Sequence, residues 1–370
     1  MNGEARLRVL IVYPFLHHYR YGVFSALEED PRLEVTFAAD DRGRRGIATI
    51  PTHLLQRFVR TRTTVVGRFS YQAGLPRLVS RGDFDAVIFL GDMWSVSLWR
   101  AARRARRAGA VVFFWTIGWH RPENGLLGRL RMCFYGRADE LLLYGNVGKQ
   151  IGIRAGYPEH QMSVIYNSHE SAQQFEGEGS ADLESVLGGR RPSVGAIVRL
   201  TAPKRLDLLL RAVALIQGAR PRVLIAGDGP ERSNLERLAD ELEVEVTFVG
   251  AVYTERDIER IYEHLDVTVV PCAAGLTAIQ SLHHGTPVIT DDDEYGQMPE
   301  AEAVIDGVTG SRYRANDVQA LADAISRRLA GEELDAEDLQ AVAARWAAQP
   351  HADAIVDRLF ARTHGRGERR

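Results

Sequence analysis

Three observations predict an α/β fold built as two doubly wound domains facing a cleft. Short β-branched runs alternate with helix-length amphipathic stretches, and the alternation occurs twice along the chain. The runs are close to continuously apolar, as strands of a parallel sheet must be when helices cover both faces. The length of 370 residues accommodates two domains of ~100–200 residues each.

The strand-like runs of the first half fall at residues 8–13 (RVLIVY), 34–38, 86–90, 111–115 and 141–144. Those of the second half fall at 195–198, 223–226, 246–249, 267–270 and 288–290. Amphipathic stretches lie between them: residues 205–216 carry Leu206, Leu209, Leu210 and Val213 on one helical face. Between the halves the chain turns polar and rich in Glu, Gly and Ser (SHESAQQFEGEGSADLESVLGGRRP), with no strand pattern. The expected boundaries are a first domain at 1–168, a linker at 169–192 and a second domain at 193–348. Residues 349–370 are expected to form a last helix and a frayed tail. That helix has Ala352, Ile355, Val356, Leu359 and Phe360 at helical spacing and needs a surface to cover, for which the first domain is the candidate.

Composition narrows the function. With 45% apolar and 26% charged residues the chain reads as globular and not disordered. No apolar run reaches the ~18 residues of a membrane span, and the first residues, MNGEARLRVLIVYP, lack the pattern of a signal peptide. Only two cysteines, Cys133 and Cys272, are present, which excludes a disulfide framework. Cytoplasmic localisation is the expectation. The net charge of −3 hides an asymmetry: residues 1–168 hold 24 basic and 14 acidic side chains, the remainder 22 and 35. Halves of opposite sign are expected to take different ligands. All basic residues except Lys149 and Lys204 are arginine, the usage of a GC-rich genome, so a retained lysine is notable.

Ligands of open α/β sheets bind beyond the carboxyl ends of the strands, so the loops that follow strands are the candidates. After 195–198 comes RLTAPK, which puts Arg199 and Lys204 one loop past a strand end. A planar fork and a point charge suit a diphosphate; a solvated loop with two surface cations is the alternative. After 267–270, Gly275 and Thr277 stand where a strand turns into a helix, a place for an anion. GDGP at 227–230 reads as a tight structural turn. Histidines His18 and His120 also follow strands and titrate near neutral pH. No metal-ligand spacing occurs, and Asp291, Asp292 and Asp293 read as a solvated loop, since consecutive side chains of an extended segment point different ways. On the helix expected at 99–109, Arg100, Arg103, Arg104 and Arg107 share a face. A solvated face is the plainer reading and contact with an anionic membrane surface the functional one; nucleic acid is not expected.

Four ordered segments of the second half resemble the donor-binding domain of GT-B glycosyltransferases, specifically glycosyltransferase family 4 (group 1 glycosyltransferases). Residues 195–210 (GAIVRLTAPKRLDLLL) look like that family's Gly-Arg-Leu…Lys-Gly-Leu-Asp motif, and 223–250 like its second strand–helix–strand unit. Residues 270–290 (VPCAAGLTAIQSLHHGTPVIT) look like its Glu-x7-Glu region followed by Gly-x-Pro-Val-Ile, and 299–310 (PEAEAVIDGVTG) is the fourth match. In the first half His18-Tyr19-Arg20, residues 115–119 and Leu143-Tyr-Gly-Asn146 look like a bacterial branch that builds polysaccharides and glycoconjugates.

The resemblance implies two Rossmann-like domains and a retaining sugar transfer that needs no metal and no cofactor. The donor would be a nucleoside-diphosphate sugar, UDP-linked before GDP-linked, and the acceptor a glycan, a glycolipid or a small molecule. It implies that Arg199 and Lys204 hold the diphosphate, that the backbone of Gly275, Leu276 and Thr277 binds a phosphate, and that His18, Tyr19 and Arg20 face the acceptor. Two positions depart from the pattern: Cys272 and Gln280 stand where the family has its two glutamates, which contact the donor sugar and the ribose. Ile117 stands where relatives with Trp-Thr-His-Gly-Trp have histidine, and His120 is the catalytic candidate in its place. A GT-B-like partner protein without catalysis is the main rival, and a nucleotide-sugar 2-epimerase the lesser one.

Overall fold

The computed structural model describes residues 6–42, 49–168, 182–331 and 334–367, with side chains to residue 364. The expected linker at 169–192 lies outside the described residues as far as 181. The chain divides into two compact units, residues 1–172 with 347–370 and residues 173–346.

The first unit opens with β1 (Leu7–Val12), α1 (Tyr21–Glu29), β2 (Leu33–Ala39) and β3 (Phe58–Arg60). A hairpin of β4 (Arg62–Val66) and β5 (Phe69–Ala73) leads to α2 (Leu75–Arg81) and β6 (Ala86–Leu90). Then come α3 (Val96–Arg107), β7 (Val111–Thr116), α4 (Gly125–Tyr135), β8 (Glu140–Leu143), α5 (Asn146–Arg154) and β9 (Met162–Val164). Among the described residues the parallel sheet runs β3-β2-β1-β6-β7-β8-β9, so strand order reverses between β1 and β6. Helix α1 covers one face through Val23, Phe24 and Leu27, while α2 to α5 cover the other with Leu75, Leu98, Phe134 and Ile151. Every residue of β7 is buried, as a central strand between two helix layers requires. The short edge strands β3 and β9 and the β4–β5 hairpin are additions to the expected set.

The second unit contains α6 (Leu183–Leu187), β10 (Ser193–Ile197), α7 (Leu206–Leu215), β11 (Arg222–Ala226), α8 (Arg232–Leu242) and β12 (Val246–Gly250). It continues with α9 (Glu255–Glu263), β13 (Val267–Val269), α10 (Leu276–His283), β14 (Val288–Asp291), β15 (Gly310–Tyr313), α11 (Val318–Leu329) and α12 (Ala336–Ala344). Its sheet is parallel, in the order β12-β11-β10-β13-β14-β15. Counted from β10 this is 3-2-1-4-5-6, the doubly wound dinucleotide-binding order, whose switch point lies between the first and fourth strands. Those strands are β10 and β13, which pair directly.

The last helix, α13 (Ala348–Gly367), packs within the first unit on the α1 side of its sheet. Ala352, Ile355, Val356 and Leu359 are at most 2% exposed, and each large aliphatic among them contributes roughly 1.5–3 kcal/mol by burial. Polar groups fix the register. Glu140 of β8, fully buried, receives Arg358 through Nε at 2.7 Å and Nη2 at 3.1 Å, and also Arg362. Among the described residues no helix is long and apolar enough to cross a membrane.

Candidate functional site

In the second unit the switch point gathers the loops that follow β10 and β13. Lys204 ends the 3-10 turn Ala202–Lys204, and Arg205 after it takes φ +50°, a left-handed conformation uncommon outside glycine. Arg205 is held there by Asp207, with Nε to Oδ1 at 3.0 Å, and by Asn316 Oδ1 at 2.9 Å. This turn aims the Lys204 side chain across to the neighbouring loop, where Nζ donates to Ala273 O. Ala273 is itself left-handed at φ +52°. Two such residues on facing loops store strain, a feature that clusters at ligand sites. Lys204 is half-buried, and its pKa is lowered chiefly by that burial, with Glu300 and then Cys272 opposing the shift.

The β13–α10 connection is pinned almost residue by residue. Pro271 O accepts from Tyr313 Oη at 3.0 Å, and Val270 O from Thr290 Oγ1 at 2.8 Å. The Ala274 N–H donates to Gln297 Oε1 at 2.8 Å, and Thr277 Oγ1 donates to Ile197 O of β10 at 2.9 Å. By contrast, the N–H groups of Gly275, Leu276 and Thr277 find no acceptor among the described residues. Three free donors at the positive end of α10, with the Lys204 ammonium bound to the same loop at Ala273 O, make this turn the candidate place for an anion. Arg199, one residue group earlier, is exposed and makes no hydrogen bond or ion pair among the described residues, so its guanidinium is available to a ligand. The turn at 227–230 has the structural role expected of it. A Cβ on Gly227 would fall 2.0 Å from Val198 O and one on Gly229 2.2 Å from Leu200 O, so only glycine lets this turn brace the Arg199 loop.

At the two departing positions, Cys272 is half-buried with Sγ 3.8 Å from Gly296 O, and Gln280 Oε1 accepts from Tyr262 Oη at 3.4 Å. The expectation of a solvated Asp loop is corrected at its first member. Asp291 is 3% exposed at the end of β14, while Asp292 and Asp293 are exposed. Its Oδ1 accepts from Gln297 Nε2 at 2.6 Å, and burial raises its pKa. Burial and this neighbouring carboxylate also push up the Cys272 thiol. A second buried carboxylate, Glu300, stands behind the turn at 2% exposure. The sequence pattern read Asp291 as solvated and passed over Glu300, because nothing in it separates a buried Asp or Glu from an exposed one. Among the described residues no three His, Cys, Asp or Glu side chains are grouped to hold a metal ion.

In the first unit the loop after β1 is likewise at the switch point and carries His18, Tyr19 and Arg20. His18 and Tyr19 are half-buried and ring-packed at 5.7 Å, and burial lowers the His18 pKa. Arg20 turns inward at 6% exposure. Its guanidinium binds Asn167 Oδ1 and, at 2.9 Å, Tyr144 Oη, and lies 5.4 Å from the Trp115 ring centre. It acts as the internal cation of a buried cluster closed by α13. There His351, fully buried, shares a hydrogen bond between Nδ1 and Ser168 Oγ at 2.8 Å. His120 lies on the surface; partial desolvation first, then Arg131 and Arg121, lower its pKa. On α3 all four arginines of the predicted face, Arg100, Arg103, Arg104 and Arg107, are exposed.

Comparison with known proteins finds a family-model match within the second unit. Residues 191–330 match the family model described as glycosyl transferases group 1. A D-inositol 3-phosphate glycosyltransferase of Mycolicibacterium paratuberculosis is 34% identical over 179 residues, 45% of this chain and 38% of the relative. A GDP-mannose-dependent alpha-(1-6)-phosphatidylinositol monomannoside mannosyltransferase of Mycolicibacterium smegmatis is 30% identical over 156 residues, 38% of this chain and 40% of the relative. The aligned stretches thus span well under half the length of these relatives. Solved structures extend the likeness of fold to both units. The lipopolysaccharide outer core galactosyltransferase WaaB superposes with a TM-score of 0.72 at 15% identity, over 96% of this chain and 100% of that one. HepE of Anabaena, in complex with UDP, does so with a TM-score of 0.72 at 17% identity, over 96% of this chain and 100% of that one. The chain has the GT-B fold of these glycosyltransferases, with two Rossmann-like domains.

Proposed function

We propose that this protein is a glycosyltransferase that moves a sugar from a nucleoside-diphosphate sugar to a glycan, glycolipid or small-molecule acceptor, with retention at the anomeric carbon and without a metal. The observation that carries the reading is the Lys204 ammonium bound at Ala273 O, on the same turn as the unpartnered N–H groups of Gly275, Leu276 and Thr277. As the bond from the anomeric carbon to the diphosphate lengthens, negative charge gathers on the departing phosphate. Preorganised cations and backbone N–H groups stabilise that charge as it develops. Arg199 adds a second cation from the same loop. Gln280 retains an acceptor oxygen for a ribose hydroxyl, and Cys272 presents a small thiol toward the sugar. We favour a UDP-linked donor, in keeping with the HepE complex, over a GDP-linked one, which the mannosyltransferase relative's name specifies.

The basic first unit suits an anionic or lipid-linked acceptor, with His18, Tyr19 and His120 as its candidate contacts. Peripheral association with the inner membrane face fits the exposed arginines of α3. Helix α4, beside it on the same layer, adds exposed Leu126, Leu127 and Leu130 at 83%, 43% and 41%. A row of cations next to exposed leucines suits an anionic interface. A thermal-shift panel of UDP, GDP and their sugars is the first test, since a ligand at ~100 times its Kd stabilises by about 2.7 kcal/mol. Transfer of labelled sugar from the stabilising donor, with the anomeric configuration of the product, completes it. Nucleotide binding with neither transfer nor donor hydrolysis would favour the second reading, a non-catalytic partner protein, for which Cys272 and Gln280 speak.

A further inference from the structure

The negative charge that the β13–α10 turn lacks at 272 and 280 is present one layer behind it. Glu300 belongs to the 3-10 turn Pro299–Ala303, which packs on α10, and is 2% exposed. A Cβ built on Gly275 would stand 3.6 Å from Met298 Cγ and 3.8 Å from Glu300 Oε2, so the carboxylate backs the turn at the point where the free N–H groups begin. The 3-10 turn is clamped in turn by Arg312, whose Nε donates to Val304 O at 3.1 Å and whose Nη2 donates to Ala301 O. Lys204 meets the same turn at Ala273 O. The turn therefore carries an ammonium at Ala273 and has a buried carboxylate beside Gly275.

We propose that Glu300 is a positioning residue of the donor site: its carboxylate, buried behind Gly275, is the counter-charge for the Lys204 ammonium that binds the same turn at Ala273 O. The inference rests on the donor-site reading given above for its function, though not for its geometry. A half-buried ammonium whose hydrogen bond goes to a neutral carbonyl loses its proton readily unless an opposite charge stands nearby. Burial lowers the Lys204 pKa and Glu300 opposes that shift; the Cys272 thiol, itself pushed up by burial, stays protonated and supplies no counter-charge. Arg205 and Asp207 on the adjoining turn are bound to each other, Arg199 is directed to solvent, and Asp291 and Tyr313 stand beyond Cys272.

The chain makes a direct test possible because it has only two lysines, Lys149 and Lys204. With 13C-labelled lysine, NMR gives two side-chain signals, and Lys149→Arg assigns them. Glu300→Gln, nearly the same size, is expected to lower the Lys204 titration midpoint by about one pH unit or more, with Lys149 unmoved and Glu300→Asp close to wild type. UDP and GDP binding measured against pH then reads the function. The alkaline loss of affinity should move down with Glu300→Gln, and in a Lys204→Arg background Glu300→Gln should leave the profile unshifted. An unchanged Lys204 midpoint, or a loss of affinity equal at every pH, overturns the proposal. A shifted midpoint in a protein that binds neither nucleotide upholds the pairing and overturns the donor-site reading.

Discussion

Replacing Lys204 by alanine removes one cation from the site and leaves the fold intact, and the structure sets the size of the effect. The side chain is half-buried, and its hydrogen bond goes to Ala273 O, a carbonyl at the strained turn. A charge-assisted contact contributes about 1.5–3 kcal/mol. Lys204→Ala should therefore weaken nucleoside-diphosphate binding roughly 10- to 150-fold. Because the ammonium is partly shielded from solvent, the deficit should change little with salt, whereas that of Arg199→Ala, exposed on the same loop, should shrink as salt rises. Lys204→Arg should recover part of the loss, since a planar fork replaces a point charge. Calorimetry with UDP and GDP at low and high salt measures all three, and urea unfolding checks that stability is retained. Affinity within twofold of wild type for Lys204→Ala, in a protein that binds the nucleotide, would refute the assignment of this loop to the diphosphate.

On the first unit, changing Arg100, Arg103, Arg104 and Arg107 to serine should weaken binding to anionic vesicles, each arginine contributing about 1 kcal/mol near the surface. Equal binding of wild type to neutral and anionic vesicles in flotation assays would return α3 to a solvated face. His351 should make stability fall with acid: burial, with Arg20 nearby, holds its pKa well below the ordinary value, so it stays neutral in the folded chain. Below about pH 6.5 the unfolded chain takes up a proton that the folded one refuses, costing up to about 1.4 kcal/mol per pH unit. His351→Gln should flatten that slope in urea titrations from about pH 5 to 8, and equal slopes would count against it. Glu140→Ala should destabilise the first unit by roughly 3–5 kcal/mol, since it strands Arg358 and Arg362 at a buried site. Hydrogen exchange should show the loss concentrated in α13; an unaltered exchange pattern there would contradict the anchoring role.

Much of the architecture was legible because a central parallel strand must be apolar on both faces. That requirement makes β1, β6, β7, β10, β11, β13 and β14 stand out as short unbroken runs, and the loops after them could be named as candidates from the rule for open sheets. Arg199, Lys204, Gly275 and Thr277 were named as candidates in this way. Edge strands β3 and β9 escaped, since three residues with a single neighbouring strand impose no such pattern. The resemblance placed Arg20 toward the acceptor, yet its side chain folds inward. Its partners Tyr144 and Asn167 lie more than a hundred positions away, and no local pattern announces them.

The sequence by itself determined the class of fold, its division into two parts, the last helix with its apolar face, and the identity of the cations past β10. These properties depend on period, composition and chain order, which are one-dimensional. Only the tertiary structure decided which of the polar groups meet. It brought Lys204 onto the carbonyl of Ala273, buried Asp291 while leaving Asp292 and Asp293 in solvent, and set Glu300 behind Gly275. The physical reason is that the state of a charged side chain is set by how much water it keeps and which opposite charge it faces. Both are fixed by neighbours brought from distant parts of the chain when the sheet closes its order at β10 and β13.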